Sequence, residues 1–238
     1  MDRHLKTGIA GAALTIIGIL ASGPLALLIV EGVHPQPAWS GAEAFVRAFH
    51  PVQTFPYYAG FILVGGCIML MSALCRIAGR EAGARFLVSL VFTAVFATLI
   101  LFNYITQTTL VPALARHYVP ENGPLISLFS LSNPSSLSWA IEMWGWSFFG
   151  AATWIASPVF RGTAAGNTAY RLMVLNGIIS IAGAIMTSID IGWVMTVPGL
   201  FCFVLWNLLV IVMSVFLILS MRGCLRSSAG GGQEGGTR

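Results

Sequence analysis

The amino-acid sequence predicts an all-α polytopic membrane protein of six transmembrane helices with both termini in the cytoplasm, and three observations predict it. Of 238 residues, 57% are hydrophobic and 8% charged, far from the roughly 45–50% apolar and about 25% charged usage of soluble domains. Long uncharged apolar runs recur along the chain, each near the roughly 20 residues that a helix needs to cross a bilayer core. The basic residues sit between those runs, and they sit unevenly. One membrane domain over 1–227 and a Gly-rich disordered tail over 228–238 account for the whole chain, leaving no segment for a soluble catalytic domain.

The apolar runs place the six helices at 7–30, 56–75, 86–112, 134–157, 172–193 and 198–221. The first, preceded by Asp2, Arg3 and Lys6, is too long for the core of a cleavable signal, about 7–15 residues, and is read as a retained span. With these boundaries Arg3, Lys6, Arg76, Arg80, Arg85, Arg161, Arg171, Arg222, Arg226 and Arg238 share one side, and only Arg47 and Arg116 the other. Because cytoplasmic flanks accumulate Lys and Arg, the N-terminus is placed inside, and an even number of spans returns the C-terminus there.

The outer connections are the long ones. In the first, Ser40 and Glu43 make a capping-box pattern, and Ala42, Phe45, Val46 and Phe49 follow at helical spacing. A short amphipathic helix is expected there, on the outer surface, its aromatic face toward lipid or the bundle mouth. In the second outer loop Asn133 is expected to cap the fourth helix, with Pro134 at its first position. The two halves of the chain show no convincing repeat of the kind common in transporters. Gly8, Gly11 and Gly18 in the first helix, and Gly60, Gly65 and Gly66 in the second, are read as sites of close helix packing.

Absent motifs narrow the chemistry. There is no GxxxxGK[ST] and no HExxH, and the sole lysine, Lys6, lies outside the spans, which excludes a retinal Schiff base. His34, His50 and His117 are placed in outer loops without ligand spacing, and Cys67, Cys75, Cys202 and Cys224 form no CxxC pair, so neither a metal nor a cofactor is expected. The net charge of +4 is spread over loops, which argues topology rather than a nucleic-acid partner.

Glu142 is the most informative residue. It lies about two turns inside the fourth helix, with no Lys or Arg in any helix core to neutralise it. A bare carboxylate is costly in so apolar a setting, which leaves a neutral acid or a cation ligand as the physical options. Ser138, Trp139, Gly145, Trp146 and Phe149 fall on its face. Asn103, Tyr104 and Gln107 in the third helix, and Asp190 beside Met186, Thr187 and Trp193 at the outer end of the fifth, are expected at a similar depth. The resulting expectation is an outward-opening pocket with Glu142 and Asp190 as catalytic groups. Asn103, Tyr104, Gln107, Trp139, Trp146 and Trp193 would contact the substrate. The bland alternative is that the polar groups join helices, and that Trp39, Trp139 and Trp193 form an interfacial belt.

The stretches Phe49-His50-Pro51-Val52-Gln53, Asn103-Tyr104-Ile105-Thr106-Gln107, and Asn133-Pro134 through Ala140-Ile141-Glu142-Met143-Trp144-Gly145 resemble a group of uncharacterised bacterial six-helix membrane proteins. That resemblance implies the topology and a bacterial inner membrane, and no activity. A fainter likeness, in length and in dependence on intramembrane acids, is to small membrane-bound terpene cyclases, whose acidic spacing Glu142 and Asp190 do not reproduce. The leading expectation is an enzyme performing acid–base chemistry, isoprenoid-type cyclisation or isomerisation, on a lipophilic substrate. In it Glu142 donates a proton, Asp190 acts as base or relay, and Trp139, Tyr104 and Trp146 stabilise positive charge. A proton- or cation-coupled transporter and a non-catalytic membrane subunit are the alternatives.

Overall fold

A computed structural model describes residues 2–78 and 83–230, with the side chains of 227–230 excepted. Arg80, Arg238 and positions 231–238 of the expected tail lie outside the described residues. The described chain is helical, with no strand. Its elements are α1 (Asp2–Val33), α2 (Ala42–Arg47), α3 (Phe55–Ala78), α4 (Gly83–Arg116), α5 (Gly123–Phe129), α6 (Leu137–Ala156), α7 (Ala164–Ile189) and α8 (Val197–Gly230). Among the described residues, five helices are long and apolar enough to cross a membrane: α1, α3 (there counted from Pro51), α4, α7 and α8. The 20 residues of α6 have the length of a span, about 30 Å at 1.5 Å per residue, but Glu142 and four tryptophans make it less apolar.

The six long helices form a closed ring. In chain order α1 packs on α3, α3 on α4, α4 on α6, α6 on α7 and α7 on α8, and α8 returns to α1. The ring closes where Gly8 in α1 faces Met221 in α8: a Cβ added there would stand 2.5 Å from the methionine sulfur. The beginning of α1 and the later part of α8 therefore lie at the same end of the bundle. Phe96, Ile100, Phe149, Met213 and Leu217, all fully buried, fill the interior. This is a packed core rather than a pore.

Glycine sets the closest crossings. A Cβ on Gly11 would lie 2.5 Å from the Leu70 nitrogen, and one on Gly66 2.6 Å from the Thr15 nitrogen, so α1 and α3 touch backbone to backbone. Gly18 serves the same crossing against Leu63, and Gly60 lies against the Tyr104 ring. Gly65 differs from the packing expectation, since it faces open space.

α1, α3, α4 and α8 extend beyond their apolar runs at both ends, because the hydrogen-bond ladder continues where side chains turn polar. By contrast, α6 is shorter than the expected 134–157 at both ends, and α7 stops at Ile189 rather than at 193. α7 begins at Ala164, with the Thr163 hydroxyl accepting from the Gly166 amide at 3.0 Å. α8 continues to Gly230, into the segment read as tail. Two helices turn through a wider π-type segment at a proline: Ala21–Leu25 contains Pro24, and Thr106–Leu110 precedes Pro112. Proline lacks the N–H that the regular ladder needs.

The end of the bundle opposite the chain termini carries a small second core. There Phe45 from α2 packs with Val111, Ala115 and Ile126, flanked by Trp39, Phe49 and Phe129. The aromatic face of α2 thus turns toward the bundle mouth. The expected capping box is not formed. α2 starts after Gly41, at φ +126°, and Glu43 pairs with Arg47 at 2.6 Å instead. A capping box forms one connection later, where His50 Nδ1 accepts from the Val52 amide at 3.1 Å and Gln53 Oε1 accepts from the His50 amide at 3.2 Å. Asn133 does not cap α6. Its side chain accepts from the Ser135 amide and donates to the Ser127 carbonyl, while Ser136 is the cap.

Candidate functional site

Glu142 occupies the contact between α4 and α6, where close approach is possible because Gly145 meets Ile100 with no side chain of its own. Its Oε2 accepts from Asn103 Nδ2 at 2.8 Å, and its Oε1 accepts from Trp146 Nε1 at 2.9 Å and from the Tyr104 hydroxyl at 3.1 Å. Asn103 also donates to the Ser138 carbonyl at 3.1 Å, one turn earlier in α6. The carboxyl is buried, with 8% of the residue exposed. Three donors and, among the described residues, no cation surround it, an arrangement that satisfies an acid by hydrogen bonding rather than by pairing. Asn103 Oδ1 is fully enclosed and has no hydrogen-bond partner among the described residues.

Tyr104 is held on its other side by α3. Gly60 lies against its ring, Tyr57 stands 5.9 Å away and Phe61 meets it edge-on at 6.2 Å. Trp146 is held by Phe96 at 4.8 Å and by Trp206 of α8 at 5.1 Å, the latter also edge-on. Its indole is therefore the bridge between the acid and the opposite side of α6.

On that side lies a cavity of about 360 Å³, lined by Trp146, Met143, Met186, Trp193, Phe203 and Trp206 among others, and bounded by α6, α7, α8 and the turn joining the last two. Trp146 and Ser180 form its deep wall, at 6% exposure each. Met186 and Cys202 at its rim are exposed, so the cavity opens on the outer flank of the ring. A second polar cluster anchors its floor. Trp206 Nε1 donates to Ser180 Oγ at 2.9 Å and to Asn176 Oδ1 at 3.1 Å, and Asn176 Nδ2 donates to Thr153 Oγ1 at 3.0 Å. Asn176 thus joins α7 to α6 and α8, whereas Asn207 donates to the Phe203 carbonyl of its own helix at 2.8 Å.

Comparison with known proteins leaves this geometry to stand alone. No family model matches the chain, and neither a curated protein nor a solved structure does.

The expected site residues divide. Glu142, Asn103, Tyr104 and Trp146 form one contiguous cluster, and Trp146 and Trp193 line the cavity. The acid and the cavity occupy opposite sides of Trp146, rather than one pocket. Asp190 stands apart from both. It is exposed and ends α7, where its Oδ1 accepts from the Gly192 amide at 3.0 Å to close a tight turn. Gln107 and Trp139 are clamps on the chain between α5 and α6: Gln107 Nε2 donates to the Phe129 carbonyl at 2.6 Å, and Trp139 Nε1 donates to the Leu131 carbonyl at 2.8 Å. Trp206 and Phe203 were not anticipated as site residues. The available signal was depth, since Trp206 lies well inside α8, away from the ends where interfacial tryptophans collect.

Proposed function

We propose that this chain is a six-span protein of a bacterial inner membrane, termini inside, that takes a lipophilic molecule from the bilayer into the cavity between α6, α7 and α8. The observation that carries this reading is the flank-opening, aromatic-walled cavity whose deep wall, Trp146, is hydrogen-bonded to a buried acid. In this reading α6 also crosses, as the fourth of six spans, α2 lies at the outer surface, and exposed Met186 and Cys202 mark the rim that faces lipid. An apolar molecule entering there leaves hydrocarbon for ring carbon and thioether surface, so shape and ring contacts select it.

Acid–base chemistry on the bound molecule is the enzymatic form of the proposal. It requires Glu142 to reach the reacting atom. In the present geometry Trp146 stands between them, so the indole must swing aside during turnover, giving up its 2.9 Å hydrogen bond. The proposal assigns Asp190 no role, because its carboxylate closes an exposed turn and is not among the residues that line the cavity. A helix-locking role for Glu142 is the second reading, favoured by the donors from two helices that already occupy both carboxyl oxygens.

The test is mass spectrometry of small molecules retained by the protein in native nanodiscs, comparing wild type with Gly183→Leu, which fills the cavity from its wall, and Glu142→Gln. A non-bulk lipophile present in wild type and lost in Gly183→Leu is expected, and its accumulation in Glu142→Gln identifies the enzyme. Loss in Gly183→Leu with no accumulation in Glu142→Gln leaves the locking role, and equal retention in all three samples rejects the cavity reading. Bulk lipid alone in every sample rejects the cavity reading.

A further inference from the structure

The three indoles of the cavity have all spent their N–H groups. Trp146 donates to Glu142 Oε1 at 2.9 Å, Trp193 to Thr187 Oγ1 at 2.7 Å, and Trp206 to Ser180 Oγ and Asn176 Oδ1 at 2.9 and 3.1 Å. The deep hydroxyl, that of Ser180, is likewise engaged with Asn176 and Trp206. No residue lining the cavity carries a charge. What lines the cavity is therefore largely ring and aliphatic carbon and the thioethers of Met143 and Met186, with every indole N–H already committed to an acceptor. Donation to an acceptor raises the electron density of the ring it leaves, most of all where the acceptor is an ionised carboxylate. A site without donors has nothing for an anion or a phosphate, whereas π surface attracts a positive charge whose hydration shell is weak.

We infer that the cavity selects an organic cation with apolar substituents, a quaternary or protonated amine, bound against Trp146, Trp193, Trp206 and Phe203, with Glu142 as the acid behind Trp146. The inference rests on the proposal that the cavity is occupied from the bilayer, and it names the class of occupant. Trp146 couples the two parts of the site: the cation lies on one side of the indole and the carboxyl accepts its N–H on the other. Removing the acid weakens binding of a cation without touching the surface that an uncharged molecule contacts.

The experiment compares benzyltrimethylammonium with its uncharged carbon isostere, neopentylbenzene, on the whole protein in nanodiscs of zwitterionic lipid, with binding to empty discs subtracted. Wild type is expected to hold the cation about tenfold more tightly than the isostere, the size of a desolvated cation–π contact. Glu142→Gln is expected to reduce that preference while leaving the isostere unchanged, and Trp193→Leu, at the turn rather than in the core, to reduce binding of the cation. Equal binding of the two probes to wild type overturns the cation class and leaves the cavity reading intact. Absence of saturable binding for both overturns the two together.

Discussion

Glu142 has a donor at every accepting position it uses, and this decides how it responds to substitution. In Glu142→Gln one carboxyl oxygen becomes an amide NH₂, which must face either Asn103 Nδ2 or the pair formed by Tyr104 and Trp146. One buried donor is then opposed by another, at a cost of about 1–3 kcal/mol. Glu142→Leu leaves all three donors unpaired and costs more. Thermal unfolding in detergent is expected to rank wild type above Glu142→Gln and Glu142→Leu lowest; a stability order that placed Leu above Gln would remove the hydrogen-bonded role of the acid. Tyr104→Phe deletes one of the three donors and is expected to be the mildest change, within about 1.5 kcal/mol. Asp190→Asn, by contrast, keeps the oxygen that accepts from Gly192, so no change in stability is expected from it.

Between elements, the α1–α3 crossing is the most sensitive contact. Gly11 and Gly66 bring each backbone against the other, so even a methyl group meets main-chain atoms that cannot rotate away. Gly66→Ala is expected to separate the helices and destabilise the protein by about 1–3 kcal/mol, in the range of overpacked cores. Gly65→Ala faces open space one residue earlier and is expected to be neutral or stabilising, by up to about 1 kcal/mol, through helix propensity. Midpoint temperatures for the two variants check the pair, and equal losses would contradict the backbone contact. Both glycines lie in one apolar run, and no local pattern distinguishes the one at the interface from its neighbour. The partner helix makes the distinction.

For the whole molecule, the prediction is of sidedness. Arg85, Arg161 and Arg171 lie at the ends of α4, α6 and α7 that the proposed topology places in the cytoplasm, and two of them are engaged there: Arg85 Nε donates to the Ile155 carbonyl at 2.6 Å, and the Arg161 guanidinium lies 4.2 Å over the Tyr170 ring. A cysteine placed at Ala164, the first residue of α7, is expected to resist a membrane-impermeant maleimide until cells are lysed, in a background with the native cysteines replaced. A cysteine at Glu121, in the second outer loop, is expected to label in intact cells. The reverse pattern would invert the orientation, and labelling of both positions from outside would mean that α6 does not cross.

Composition and hydropathy by themselves determined that the chain is helical and apolar enough to sit in a membrane, because both signals are local sums that need no partner. The placement of Glu142 inside its helix, with Trp146 one turn further on, was equally legible, since helical periodicity fixes a residue's neighbours on its own element, although the helix starts at Leu137 rather than 134 and Glu142 is nearer its beginning than expected. Only the tertiary structure decided what lay across from them. Asn103 and Tyr104 reach the acid because α4 packs on α6. Asp190 leaves the site because α7 ends where it stands and the chain turns on its carboxyl. The cavity lies where the Trp193 turn joins α7 to α8, which brings Trp206 against Trp146 from the far end of the sequence. Periodicity records which face a residue occupies; the contact that gives that face its chemistry is made by another helix, and its identity is decided by how the ring closes.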